Sequence, residues 1–500
     1  MSAAPGRPQA SSLPLGGTGR RPKGAQVSVI RRIAIEEWRL MRRDRVAMLG
    51  LALLLLLSAI AAFTAWDQRR GATEQRERHQ ARVDHEFDAQ PDRHPHRMVH
   101  HGHFVFRPLS PLAAFDAGID PYTGHTLFLE GHRQNGANFG DVRESSLLLR
   151  FGQLTPAFVL QVLAPLLLVF IGHAVVARER ESGTLRVLMA QGLRPGQLVA
   201  GKLLALLAVA GLMLLPALLT LAAIALTTQA SAGLAFALGL GYAAWLALWA
   251  LGVVVVSTLA RRGRDALMAL LAVWTVGVVL LPRLVPELVT ASLALPTRFE
   301  TEIAVSRGLA AMGDSHNPDD PYFNEFRRKT LAKYGVTRVE DLPVNYKGVL
   351  GMEGERLTSE LFERYTNASF ALQEQQLARM QAFSLLSPLI ALRSLSMGAA
   401  GTDLPAYRRF MEQAEKHRFD LIQALNRMQA EKLTLATDRG SESRISKDHW
   451  HGLAAFHFNA EAAGDTLRRT LTMAAVLLAW LAALAGVLAF ATRRLQGVMR

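Results

Sequence analysis

The chain has no cysteine in its 500 residues, so disulfide bonds and thiolate metal sites are excluded. Ionised side chains are almost as scarce across the middles of six apolar runs, at about 46–66, 154–176, 203–226, 233–259, 266–290 and 470–490. Their absence matters because one central Arg, Lys or Asp costs roughly 2.5–3.5 kcal/mol on insertion scales. A helix rising about 1.5 Å per residue needs about 20 apolar residues to cross a hydrocarbon core of about 30 Å. The runs meet that length, and they specify an all-α polytopic membrane protein with six transmembrane helices. Helix-turn-helix, zinc-finger and RNA-recognition patterns are also missing, so the formal charge of +14 does not point to nucleic acid.

Where the charge sits decides the orientation. Arg31, Arg32, Arg39, Arg42, Arg43 and Arg45 precede the first run, and Arg261, Arg262 and Arg264 lie between the fourth and fifth. Arg493, Arg494 and Arg500 follow the sixth, while the connection 227–232 carries no charge. Alternation from a cytoplasmic N-terminus puts every basic cluster inside and the uncharged turn outside. The expectation is a multi-pass protein of the plasma (inner) membrane with both termini cytoplasmic and anionic lipid headgroups beside the arginines. Residues 1–26, rich in Pro, Gly and Ser, read as a disordered cytoplasmic tail rather than a cleaved signal. Residues 27–45 read as an amphipathic interfacial helix, with Ile30, Ala34, Trp38 and Met41 on one face, and 491–500 as a second cytoplasmic tail.

Two hydrophilic insertions, 67–153 and 291–469, fall outside. The first reads as loop-like. The second is helical in pattern, with Leu357, Leu361, Tyr365, Ala368 and Leu372 and then Phe410, Ala414, Leu421, Leu425 and Met428 at helical spacing. Together they are expected to build one extracytoplasmic domain, mainly helical. Residues 383–397 are apolar but too short to span, which suits either a core segment or one grazing the outer leaflet.

The second and third runs (154–176 and 203–226) are joined by a charged segment, 177–202. Gly196 to Lys202 has the spacing of a phosphate-binding loop, but Leu203 stands where that loop needs Ser or Thr, and no buried strand precedes it. No nucleotide site or catalytic residue is therefore expected, and the chain does not read as an enzyme. Ser182, Gly183 and Thr184 suit a helix end or cap. Leu185, Val187, Leu188 and Met189 offer an apolar face, and Glu179, Arg180, Glu181 and Arg186 a rim of mixed sign, as a docking element would.

At Glu179, Gly183, Thr184, Leu185, Gly201 and Lys202 this segment resembles the cytoplasmic element of ATP-binding-cassette exporter permeases of the type-2 class. There a charged E-x-x-x-G-T-L run, a short helix and a G-K pair connect the second and third spans. In its large insertions the chain resembles the subset grouped near copper-enzyme-maturation and gliding-type permeases. The resemblance implies a membrane subunit that pairs with a separate ATPase, which holds the ATP and Mg²⁺, and that dimerises with itself or a related permease. Glu179, Arg180, Glu181, Gly183, Thr184, Leu185, Gly201 and Lys202 would then be its ATPase-coupling residues.

A second constellation is histidine-rich. His94, His96, His100, His101 and His103 lie within ten residues, and nine of the fifteen histidines fall in the first insertion. Neutral imidazoles suit Zn²⁺ or Cu²⁺, but Arg93, Pro95 and Arg97 interrupt the run and no certain carboxylate completes a shell, so a solvated polar loop is the competing reading. Two rival functions remain at this level. One is a transducer that uses an ATPase to move its external domain without transport, and the other is a membrane-anchored metal-binding maturation factor.

Overall fold

The computed structural model of the protein describes residues 23–138, 154–314, 317, 319–438 and 443–497. Residues 1–22 of the expected tail, 139–153 of the first insertion and Arg500 lie outside the described residues. Six helices are long and apolar enough to cross a membrane, in agreement with the six runs.

The first helix, α1 (Lys23–Arg43), starts four residues before the expected position. Asp44 separates it from α2 (Arg45–Asp88), because its side chain accepts from Val46 N at 2.9 Å and Ala47 N at 3.2 Å and so caps the new helix. The apolar start of α2 is the first span. The helix then continues through 22 residues that the sequence reading assigned to a loop, and this is a correction. The segment holds no proline and a single glycine, Gly71, and carries i,i+4 pairs such as Arg70–Glu74 at 2.9 Å, which favour helix.

A short helix α3 (Pro95–His101) and an antiparallel hairpin, β1 (His103–Phe106) with β2 (Thr126–Leu129), complete the described part of this insertion. The domain is therefore helical apart from one small hairpin. Next come α4 (Pro156–Glu181), α5 (Thr184–Ala190), α6 (Pro195–Thr227), α7 (Ala232–Leu259) and α8 (Gly263–Ser292). The second insertion is α9 (Arg298–Met312), α10 (Pro321–Tyr334), α11 (Tyr346–Ala382), α12 (Pro388–Ala400) and α13 (Leu404–Lys432). The last span is α14 (Ala463–Gly497).

Helix α7 sits at the centre of the bundle. Of its apolar stretch 61% is buried, against 17% for α8 and for α14, which leave most of their surface uncovered by the described residues. Leu238, Tyr242, Trp245, Ala250 and Val253 fill its inner faces.

The apolar stretch 383–397 proves to be part of this core. Helix α11 runs down to the bundle, the chain turns at 383–387, and α12 packs back between α7 and α14 with Leu389, Leu392 and Leu395 buried. Ser387 Oγ donates to the Gly277 carbonyl at 2.8 Å, and Trp480 Nε1 to the Ser384 carbonyl at 3.1 Å. Gly277 lies in a π-helical stretch of α8, where a carbonyl freed from the regular ladder can take such a partner.

Helix α12 also brings polarity into a bundle whose own spans have little. Arg393 Nε donates to Gln161 Oε1 at 3.1 Å, Gln161 Nε2 donates to the Tyr242 hydroxyl at 2.8 Å, and that hydroxyl is 2.9 Å from Ser396 Oγ. Ser396 in turn donates to the buried Asp116 carboxylate.

The two insertions form one body. Phe87, Met98 and Val99 of the first pack with Leu421, Ile422, Leu425 and Trp450 of the second, and the hairpin residues Val105, Leu127 and Leu129 pack on Phe410 and Ala414. The helical stripe on α13 is thus core, as its spacing implied. Arg418 knits the parts together. It is 1% exposed, pairs with Glu355 and with Glu415 (2.7 Å), and donates to the Glu130 carbonyl at 3.0 Å and Ser359 Oγ at 2.7 Å.

Candidate functional site

The segment 177–202 is three helical pieces. Residues 177–181 end α4, α5 forms two turns, and 195–202 are the opening turns of α6. Gly183, at φ 76°, provides the left-handed residue that lets the chain leave α4 and begin α5. Ser182 Oγ and Thr184 Oγ1, 2.8 Å apart, close the corner, and Thr184 Oγ1 donates to Glu179 Oε2 at 2.5 Å.

The charged residues of the segment are spent mainly within the chain. Lys202 Nζ is 2.8 Å from Glu179 Oε1 and 2.8 Å from Glu37 Oε2, and Arg178 Nη2 is 2.9 Å from Glu37 Oε1. Lys202 and Glu37 are nearly inaccessible, so each charge relies on the other for solvation. Gly201, one residue earlier, permits the contact. A Cβ there would stand 2.6 Å from Ile33 Cβ and 3.0 Å from the Ile30 carbonyl, so only glycine lets α1 lie this close to α6.

Arg180 and Glu181 hold the elbow between α7 and α8. The Arg180 guanidinium donates to the carbonyls of Thr258 (3.0 Å), Leu259 (3.3 Å) and Ala260 (2.7 Å), satisfying the end of α7. Glu181 Oε2 accepts from Gly263 N at 3.1 Å, at the start of α8. Ser257 Oγ accepts from Val176 N at 2.9 Å and Ala177 N at 3.1 Å, fastening the same elbow to α4.

The sequence reading gave Glu179, Arg180 and Glu181 to a partner-facing rim. Their polar atoms instead brace the segment against α1, α6, α7 and α8, and Leu185 is in the core at 4% exposure. What α5 presents outward is Thr184, Arg186 and Val187, with Val187 57% exposed. The residue the sequence reading missed is Glu37. Its signal was present, because Ala34, Glu37 and Met41 share one helical face and all three are buried.

A model of the family described as ABC-2 family transporter protein matches residues 31–336, more than half of the chain and the stretch containing most of α1, five of the spans and this braced segment. The chain belongs to the ABC-2 transporter family. As an ABC-2 transporter it is a membrane transport component, and membership implies a partnership with an ABC ATPase. A second model, for a domain of unknown function (DUF3526), matches residues 298–459, which begins at α9 and runs past α13. No curated protein matches the chain.

The ABC-2 transporter keeps the clustered histidines of the first insertion apart from this segment. His94 Nε2 lies 3.0 Å from Asp438 Oδ1, and its Nδ1 accepts from His96 N. Buried His103 pairs with Asp84 at 2.9 Å, and the His101 ring tilts against Phe87. Of the five sequence candidates, His96 and His100 have Nε2 atoms 3.2 Å apart, and the His94 ring lies edge-on to His96 with centroids 6.4 Å apart.

Proposed function

We propose that the chain is the permease subunit of an ATP-binding-cassette exporter in the plasma (inner) membrane, with 177–202 as the cytoplasmic element on which a separate ATPase acts. The observation that carries this reading is the bracing of that element. A displacement of α5 is passed to α1 through Lys202 and Glu37, and to the α7–α8 elbow through Arg180 and Glu181. Four of the six spans, α4, α6, α7 and α8, meet in these contacts beside one short helix, and such a linkage converts a push from a soluble partner into a rearrangement of packed helices. The outer face of α5, with Arg186 and Val187, is the docking surface, and the basic Arg261, Arg262 and Arg264 flank it from the elbow. Large apolar side chains exposed on α2 and α8, among them Leu53, Phe63, Met268 and Leu284, suit lipid and a second copy of the chain.

Replacing the docking face tests this. An Arg186→Glu/Val187→Asp variant is expected to insert and purify as the parent does while losing the co-purifying ATPase. Undiminished ATPase binding and ATP-dependent activity in that variant overturns the proposal.

A second reading has its own observation. The external body is joined to the spans by the unbroken α2 and by α12, which enters the bundle. That architecture suits a transducer that moves its external domain without carrying a substrate. Substrate flux into vesicles during ATP turnover separates the two: flux supports the exporter, and turnover that only alters external contacts supports the transducer.

A further inference from the structure

We infer that a cavity of about 790 Å³ beside α3, in the body built by the two insertions, binds a multiply charged small-molecule oxyanion. The ligand carries phosphate or carboxylate groups, and Arg93, Arg97 and Arg444 hold it.

The charge of the wall carries the inference. Arg93, Arg97, Arg444 and Lys347 line the cavity with two carboxylates, Asp92 and Asp438, so positive charge is in excess before any histidine takes a proton. Both carboxylates are already committed. Asp438 accepts from Asn345 Nδ2 at 3.0 Å and Gln429 Nε2 at 3.1 Å, pairs with Lys347, and lies 3.0 Å from His94 Nε2. Asp92 Oδ1 accepts from Lys447 N at 2.8 Å. The guanidiniums of Arg93, Arg97 and Arg444 make no hydrogen bond or ion pair among the described residues.

The backbone that carries these arginines is fixed in advance. Arg93 N donates to the Ile445 carbonyl at 3.2 Å, and Ile445 N returns a bond to the Arg93 carbonyl at 3.1 Å. Trp450 Nε1 donates to the Pro91 carbonyl at 3.2 Å. Beneath this pairing Met98, Ile445 and Trp450 share one apolar core. The frame sets Arg93 beside the neighbour of Ile445, which is Arg444, and the start of α3 adds Arg97. A site held in this way loses little freedom when it is filled.

The chemistry of the wall selects the ligand. A guanidinium presents a planar fork of donors that matches two oxygens of one phosphate or carboxylate. Concave walls with an excess of one sign focus the field and concentrate the opposite ion. The volume falls in the range of about 300–1,000 Å³ that takes small-molecule ligands, which is more than a lone phosphate ion fills. Among the described residues no Phe, Tyr or Trp lines it, so a nucleobase has no aromatic platform on which to stack.

Distance excludes the headgroups of the surrounding bilayer. The cavity lies just past the tip of α2, and that unbroken helix runs about 33 Å beyond the first span. The anion is therefore a soluble one.

The test titrates the full-length chain in detergent with pyrophosphate and, separately, with citrate. Calorimetry in phosphate-free buffer at about 0.15 M salt screens surface charges more than about 8 Å from the anion. One anion per chain is expected, and the tighter of the two tells phosphate from carboxylate. Arg97 and Arg444 are exposed, so Arg97→Gln/Arg444→Gln keeps the fold, and losing their charge-assisted hydrogen bonds should weaken binding at least about tenfold. Arg298→Gln/Arg379→Gln removes the same charge near the other end of α11, where Arg379 is about 48 Å along the helix from Lys347. That control should keep its affinity within about twofold. Absence of saturable binding of either anion below about 1 mM overturns the inference. Equal weakening in the two double variants also overturns it, because it would show a diffuse response to net charge alone.

Discussion

Lys202 Nζ stands 2.8 Å from Glu37 Oε2 across 165 positions of sequence, and both groups are sealed from solvent. The ammonium also holds Glu179, so a single cation serves two carboxylates at the point where α1, α4 and α6 meet.

Lys202→Met should therefore be costly. It leaves Glu179 and Glu37 with only the half-exposed Arg178, and breaking a buried pair from one side costs about 3–5 kcal/mol. The midpoint of thermal unfolding in detergent should fall by several degrees, and adding Glu37→Gln should restore part of the loss. A variant as stable as the parent would show that the three groups are solvated in another way.

Gly201→Val tests the neighbouring contact. The added Cβ meets Ile33 Cβ and Cγ2, which belong to a stiff β-branched side chain and have little room to give. Overpacking of this kind costs about 1–3 kcal/mol. Faster amide hydrogen exchange over residues 30–41 is the expected result, with Ile33→Ala relieving it. Unaltered exchange there would mean that α1 is held chiefly by the Lys202–Glu37 pair.

Arg418→Met probes the body built by the two insertions. Two buried carboxylates, Glu355 and Glu415, lose their cation together with the tie to the Glu130 carbonyl. A loss of about 3–5 kcal/mol is expected. Proteolysis should then open the insertion body first and leave the spans intact, and simultaneous cleavage of both would contradict that order.

Acid should loosen the same body well before carboxylates titrate. Burial lowers His125 from its usual value to about 4, aided by the Arg76 charge. Burial also lowers His103 in spite of Asp84, and His417 in spite of its bond to the Ala454 carbonyl. In the unfolded chain these rings take protons near pH 6.5, and in the fold they do not until lower pH. Their contribution is therefore complete above pH 6.5 and is lost as pH falls toward 4. Asp438 behaves differently. Burial alone would raise it, but hydrogen bonds from Lys347, His94, Gln429 and Asn345 bring it to about 2, so its contribution holds above pH 3.8 and fades only below. Unfolding midpoints measured from pH 7.5 to 4.5 should fall, and fall less in His125→Gln. A flat profile would show that these histidines are solvated in the fold.

How much of this was readable beforehand depends on the range of each interaction. The six spans were legible because insertion depends on local composition, and a missing charge is visible in any window. The continuation of α2 past residue 66 was obscured by hydrophilic residues, though Arg70 with Glu74 and the lack of proline favoured helix. Helix α12 was ambiguous because a thirteen-residue, mostly apolar helix suits a soluble core and a bundle insertion equally. Within the site, the backbone roles of Gly183 and Gly201 follow from residue type, but the direction of Glu179 and Glu181 does not. A carboxylate on a short helix faces a partner or a neighbour according to what packs there. Arg418 was beyond reach for the same reason, since its partners lie 63 and 288 positions away.

The 44 residues of α2 form a rod of about 66 Å with no proline along its length. Its foot adjoins the braced segment through α1, and its tip carries Phe87 into the core of the body built by the two insertions. A rod of that kind has no neutral position, since a tilt of about 10° at the foot sweeps the tip through roughly 11 Å. Whatever tips the first span must therefore carry the body built by the two insertions sideways, so that body reports on events at the opposite end of the longest described helix.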